Sequence, residues 1–240
     1  MGAPLITEEP YASSGTVPVY DADAHIAEPT SVWQEYTDPK YRELVMQCRP
    51  VGDADSVFVE DQSMDTSAAP ACIPNAYGTA VTWDDIVPGS YDPSERLKVM
   101  DGEGLAAALM FPSVHLMSGD ISDGEVAAAN ARGYNRWMSD FVSENPDRLF
   151  GVGVTPLQSV DHAVAEIEFC AGAGLTGVTF RPERYNGLEL FSDEMDRVWS
   201  AAEDHDMTVA IHGSFGSKMK SFARTRYTNQ FYVHMVCHPF

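Results

Sequence analysis

Leu149-Phe150-Gly151-Val152-Gly153-Val154-Thr155 is the stretch on which the fold turns. It is apolar, carries β-branched residues at alternate positions, and is followed by Pro156 and a helix-like segment over residues 159–173. That combination reads as a buried strand feeding a helix. The same unit recurs downstream. Residues 175–181 (LTGVTFR) form a strand followed by a helix over 192–205, and residues 207–212 (MTVAIH) form the next strand. Upstream, residues 105–113 (LAAALMFPS) precede a helix over 123–145 that stops at Pro146, and residues 17–25 form the first strand. A further helix opens at Asp92 as N-cap with Pro93 at the first helical position.

Strands alternating with helices imply right-handed βαβ units and a parallel sheet. Side chains alternate along a strand. Val152 and Val154 therefore oppose Gly151, Gly153 and Thr155; Val178 and Phe180 oppose Gly177, Thr179 and Arg181; Val209 and Ile211 oppose Ala210 and His212. The expectation is that branched residues pack on outer helices while small and polar ones line an interior. The polar ones fall at C-terminal strand ends, where barrel sites are built, which favours a (β/α)₈ barrel. An open doubly wound sheet is the alternative, but no Gly-rich phosphate loop follows the first strand.

The first strand ends in Tyr20-Asp21-Ala22-Asp23-Ala24-His25. Strict alternation would put Asp21, Asp23 and His25 on one face. Polar, metal-competent side chains on an apolar strand are costly to bury without a partner, and a cation supplies one. Such a string also arises from turn aspartates beside a surface histidine. His212, ending a later strand on the same side, tips the balance toward a shared ion.

With 240 residues and 44% hydrophobic residues the chain can bury the core of one domain spanning residues 1–240. Residues 1–16 read as a loose arm, and residues 50–90 as a weakly periodic insertion where binding loops often lie. A formal charge of −21 argues against nucleic acid or an anionic membrane and for solubility in a salty cytoplasm. No apolar run is long enough to span a bilayer, and the start lacks the basic and apolar regions of a secretory signal, so the expected compartment is the cytoplasm. The four cysteines are scattered without a C-x-x-C pair, as reduced thiols would be.

Several segments together resemble the amidohydrolase superfamily, in its branch related to aminocarboxymuconate-semialdehyde decarboxylase and the aromatic-acid decarboxylases. These are Asp23-Ala24-His25-Ile26-Ala27-Glu28-Pro29 followed by Trp33, Asp92-Pro93-Ser94-Glu95-Arg96-Leu97 followed by Met100-Asp101, Tyr134-Asn135-Arg136-Trp137, and Leu175-Thr176-Gly177-Val178. The resemblance implies a metal-dependent (β/α)₈ barrel with Asp23, His25 and His212 as ligands to one divalent ion. Zn²⁺ is the default and Mn²⁺ stays open, because an aspartate makes the site harder. It also implies a sixth-strand proton-transfer group and an eighth-strand aspartate. The chain is therefore expected to hold about five of the eight units, with the catalytic group beyond Phe240.

Arg181 is a candidate for a substrate carboxylate, or else for a salt bridge to a neighbouring loop. His238, in Cys237-His238-Pro239-Phe240, matches a helix-start segment and is a pocket residue rather than a ligand. Glu28 is expected to cap or brace the turn that follows it rather than act as an acid/base group near the metal, Trp33 to pack rather than form a substrate platform, and His115 to sit on a surface loop rather than line the mouth. The reading is a decarboxylase of a small carboxylated aromatic or unsaturated acid. The alternatives are hydrolysis of an amide or lactone, or an inactive fragment. Self-association into a homo-oligomer stays open.

Overall fold

The computed structural model describes residues 17–64, 82–182 and 185–213. In chain order the elements are β1 (Val19–His25), β2 (Gln47–Val51), β3 (Ala54–Val59), β4 (Gln62–Met64), α1 (Pro93–Glu103), β5 (Leu105–Phe111), α2 (Gly124–Ser143), β6 (Leu149–Val154), α3 (Val160–Gly172), β7 (Gly177–Phe180), α4 (Asp196–Asp204) and β8 (Thr208–Ile211). The main sheet runs β1-β5-β6-β7-β8, and every neighbouring pair is parallel.

This sheet is curled. Laid flat, four strand spacings of about 4.8 Å would hold β1 and β8 roughly 19 Å apart. Yet Asp23 Oδ1 on β1 lies 3.6 Å from Nε2 of His212, the residue after β8. The wall is an incomplete (β/α)₈ barrel, with α2, α3 and α4 packed on its outer side. Local signals set the helix starts. Asp92 Oδ1 accepts from Glu95 N at 3.0 Å, and Asp123 Oδ1 accepts from Glu125 N and Val126 N. Gly104, at φ 70°, takes the left-handed C-terminal position that ends α1.

The alternation expected of β7 holds, the Phe180 ring lying 5.2 Å from Trp199 of α4, whereas Ile211 of β8, expected to pack on a helix, is exposed. In β6 it is reversed. A Cβ on Gly153 would sit 2.6 Å from Cys170 Sγ and 3.1 Å from Asn135 Oδ1, and one on Gly151 would sit 2.8 Å from Met138 Cγ. The glycines therefore face the helices, while Val152 and Val154 face the interior. The reason is close approach. Tyr134 donates its hydroxyl to Val152 O, and the Asn135 amide both donates to Val154 O and accepts from Val154 N. These side chains of α2 satisfy strand groups beyond the last β5–β6 pair, Met110 with Gly151. Gly→Ala in an ordinary strand relieves unfolded-state entropy. At Gly153 the overlap wins, so Gly153→Ala is expected to lower stability by about 1–3 kcal/mol, measured by urea melts.

Residues 47–64, partly within the region read as a loose insertion, form an antiparallel meander, β2-β3-β4. Its turns lack an Asn-Gly signal. They use Gly52 at φ 62° and, with ordinary side chains, Glu60 and Asp61 at φ 51° and 60°. The meander packs Val57 and Val59 with Met46, Trp33, Met117 and Ile121 in a second core cluster. The arm 1–16, and residues 65–81 of the insertion, lie outside the described residues.

Candidate metal centre

One ligand atom from each of Asp23, His25 and His212 falls within 4.8 Å of the other two. His25 Nε2 is 3.8 Å and His212 Nε2 is 3.6 Å from Asp23 Oδ1. The two imidazoles meet edge to face, with ring centroids 5.1 Å apart. Asp21 does not join them. A register shift sets Asp21 to Ala24 of β1 against only Ala108 to Met110 of β5, which breaks the strict alternation expected from sequence. Asp21 instead turns back, its Oδ1 accepting from Asp23 N at 3.0 Å.

Both histidines are oriented by their other nitrogen. His25 Nδ1 donates to Pro112 O at 3.0 Å, with Ser113 Oγ 3.4 Å away. His212 Nδ1 donates to Gly213 O at 2.6 Å, and its backbone N donates to Phe180 O. A carbonyl can only accept, so each Nδ1 keeps its proton and each Nε2 presents a lone pair toward Asp23. Burial first, and the neighbouring His212 second, hold the His25 pKa below its usual value. The ring is thus neutral at neutral pH, the form that binds metal. One carboxylate oxygen and two such nitrogens suit a divalent ion, and the donor set fits either Zn²⁺ or Mn²⁺.

The surroundings are part apolar and part charged. The Phe111 ring lies 5.3 Å from His212 and 6.0 Å from His25. Arg181 follows β7 directly, and its Nη1 lies 3.5 Å from Asp120 Oδ2, both side chains being buried. Asp120, which ends a 3₁₀ segment over Val114–Asp120, carried no sequence signal. His238 lies outside the described residues.

Glu28 is fully buried and does brace the chain. Its carboxylate accepts from Ser113 N, Val114 N and His115 N at 3.2, 2.9 and 3.0 Å, and from His115 Nδ1 at 3.1 Å. Burial pushes its pKa up, but the His115 and backbone donors outweigh that and leave it below the usual carboxylate range. His115 is a correction to the sequence reading. It is no surface residue but is 1% exposed, with its ring 5.5 Å from Trp33 and 4.8 Å from Tyr134. Its acceptor, Glu28, is far away in sequence, so no local pattern reveals the pair.

Residues 20–235 match the family described as Amidohydrolase, and the chain belongs to that family. Among solved structures, an amidohydrolase from Mycobacterium avium subsp. paratuberculosis K-10 is 20% identical with a TM-score of 0.68, over 84% of this chain and 59% of that one. A 2,6-dihydroxybenzoate decarboxylase from Rhizobium is 18% identical with a TM-score of 0.51, over 82% of this chain and 50% of its own. A dihydroxybenzoic acid decarboxylase from Polaromonas sp. JS666, holding manganese and the inhibitor 2-nitroresorcinol, is 15% identical with a TM-score of 0.52, over 85% and 51%. At these identities the likeness is one of fold. The chain spans between half and three-fifths of the length of these structures. No curated protein matches the sequence. Among the described residues no helix is long and apolar enough to cross a membrane.

Proposed function

We propose that this chain carries the metal-binding half of a divalent-metal-dependent decarboxylase acting on a small carboxylated aromatic acid. The observation that carries the reading is the convergence of Asp23 Oδ1 with the ligand nitrogens of His25 and His212 from opposite edges of the sheet. Bound there, a divalent ion supplies positive charge that holds a carboxylate or neighbouring oxygen and stabilises negative charge developing on it. Pro112 O and Gly213 O fix the two imidazoles in the tautomer that such an ion needs. Phe111 offers an apolar wall for an aromatic ring beside the ligands. Arg181 is proposed to hold a second substrate oxygen, with Asp120 orienting its guanidinium. Decarboxylases among the structures of similar fold, one of them with manganese, support this reaction over hydrolysis.

The test is titration of the protein with Mn²⁺ and then with 2,6-dihydroxybenzoate, following bound ligand and released CO₂. The expected result is aromatic carboxylate binding that requires the ion, vanishes with EDTA and returns on adding metal, with CO₂ release following only where the remaining strands and their proton-transfer group are also present. Water-dependent cleavage of a lactone or amide, with no affinity for the carboxylate, would overturn the reading in favour of a hydrolase.

A further inference from the structure

We infer that Glu28 is a positioning residue for the metal centre, acting through Pro112 on the imidazole of His25. This rests on the metal-binding reading above. The segment from His25 to Glu28 is stitched to the segment from Phe111 to His115 through His25, Ile26 and Glu28. Ile26 N donates to Phe111 O at 3.2 Å, His25 Nδ1 donates to Pro112 O at 3.0 Å, and the Glu28 carboxylate gathers Ser113 N, Val114 N, His115 N and His115 Nδ1. The carbonyl that sets the tautomer of His25 thus belongs to the residue immediately before three amides that Glu28 holds. On its other side Glu28 is anchored through its backbone, its carbonyl accepting from Trp83 Nε1 at 2.8 Å, and the Ala27 amide donates to Ser90 O at 2.8 Å.

Among the described residues, the hydrogen bonds of the carboxylate all go to residues 113–115. It is fully buried, each of its hydrogen bonds accepts from a donor, and the His115 ring that completes its shell stacks on Trp33 and tilts against Tyr134. A carboxylate is required there because it accepts at both oxygens, whereas an amide would turn an NH₂ group toward converging N–H donors. Losing that acceptor frees the loop carrying Pro112 O, and with it the orientation of the His25 ring. Groups that orient metal-ligating histidines typically contribute about 10–100-fold in metal affinity.

Two readouts test this on the full chain. The first is the Mn²⁺ and Zn²⁺ dissociation constants of the wild type, Glu28→Gln and His115→Phe, the last keeping the aromatic stack while deleting one donor. The second is the tautomer of His25 in metal-free protein, read from two-bond ¹H–¹⁵N correlations of the ring. Glu28→Gln is expected to weaken both metals about tenfold or more and to shift His25 from the pure Nδ1–H form to a mixture, with His115→Phe giving a smaller change of the same kind. A folded Glu28→Gln protein with unchanged metal affinity and an unchanged His25 tautomer would overturn the assignment. If Glu28→Gln fails to fold, His115→Phe decides: an unaltered His25 tautomer and unaltered metal affinity then overturn it. A wild type that binds neither metal would sink the proposed function, while the metal-free tautomer readout would still decide the role of Glu28.

Discussion

His212→Ala is expected to strip the divalent ion from the protein. Among the described residues only Asp23 and His25 would remain from the cluster, both from one strand, whereas the pair His25–His212 spans the two edges of the curled sheet. Affinity for a divalent ion rises steeply with the number of pre-placed donors. Loss of one direct ligand should therefore exceed the roughly 10–100-fold typical of removing a supporting hydrogen bond. Metal content by mass spectrometry after dialysis, together with Mn²⁺ titration, gives the answer. Little structural penalty accompanies the change, because His212 is partly exposed, its backbone bond to Phe180 O is kept, and the side chain gives up only one bond to the adjacent Gly213 O and ring contacts with His25 and Phe111. A variant that keeps full metal content would show that the histidine is structural.

Arg132→Met is expected to produce the largest loss of stability. Glu166 is 2% exposed, and its carboxylate is held by Arg132 Nε at 3.0 and 2.9 Å and by Asn135 Nδ2 at 2.8 Å. Removing the guanidinium leaves a buried charge with one neutral donor, a change that costs about 3–5 kcal/mol at neutral pH. Methionine retains much of the packing over Phe169, so the loss reports the charge. For a chain of this size the melting temperature should fall by roughly 10 °C. The pH dependence has a definite sign. Burial already raises the Glu166 pKa above its usual value, with Arg132 and Asn135 pulling the other way. Without Arg132 it rises further, so the folded state binds a proton that the unfolded state has released. The variant's stability is then best preserved below the unfolded carboxylate pKa and is lost as pH rises through the folded one. Melts at pH 5 and pH 8 should show the deficit growing with pH, and adding Glu166→Gln should remove most of that growth.

The legibility of this molecule in its sequence follows the range of the interactions concerned. The ends of β7 and β8 were readable because alternation is local: Arg181 and His212 fall on the interior side from spacing alone. The helix starts at Asp92 and Asp123 were readable for the same reason. In β6 the glycines misled, since a small side chain suits either a crowded interior or a close helix. Only the reach of Tyr134 and Asn135 from α2 to the backbone of Val152 and Val154 decides between them. The bulge in β1 moved Asp21 out of line, and bulges leave no mark in a short polar string. The second hairpin of the meander was hidden because Glu60 and Asp61 adopt left-handed backbone without glycine. His115 was hidden because its burial depends on Glu28, a partner from the far side of the meander.

The two histidines of the candidate centre come from the first and the last strand of the described sheet, with all of its other strands between them in sequence. Such a site has the longest loop to close, and long-range contacts form late. An ion cannot nucleate this sheet, because its binding place does not exist until β5, β6 and β7 have already stacked in order. Metal should therefore leave the folding rate almost unchanged and act on the unfolding rate, turning the ion into a latch that is fastened last and must be released first.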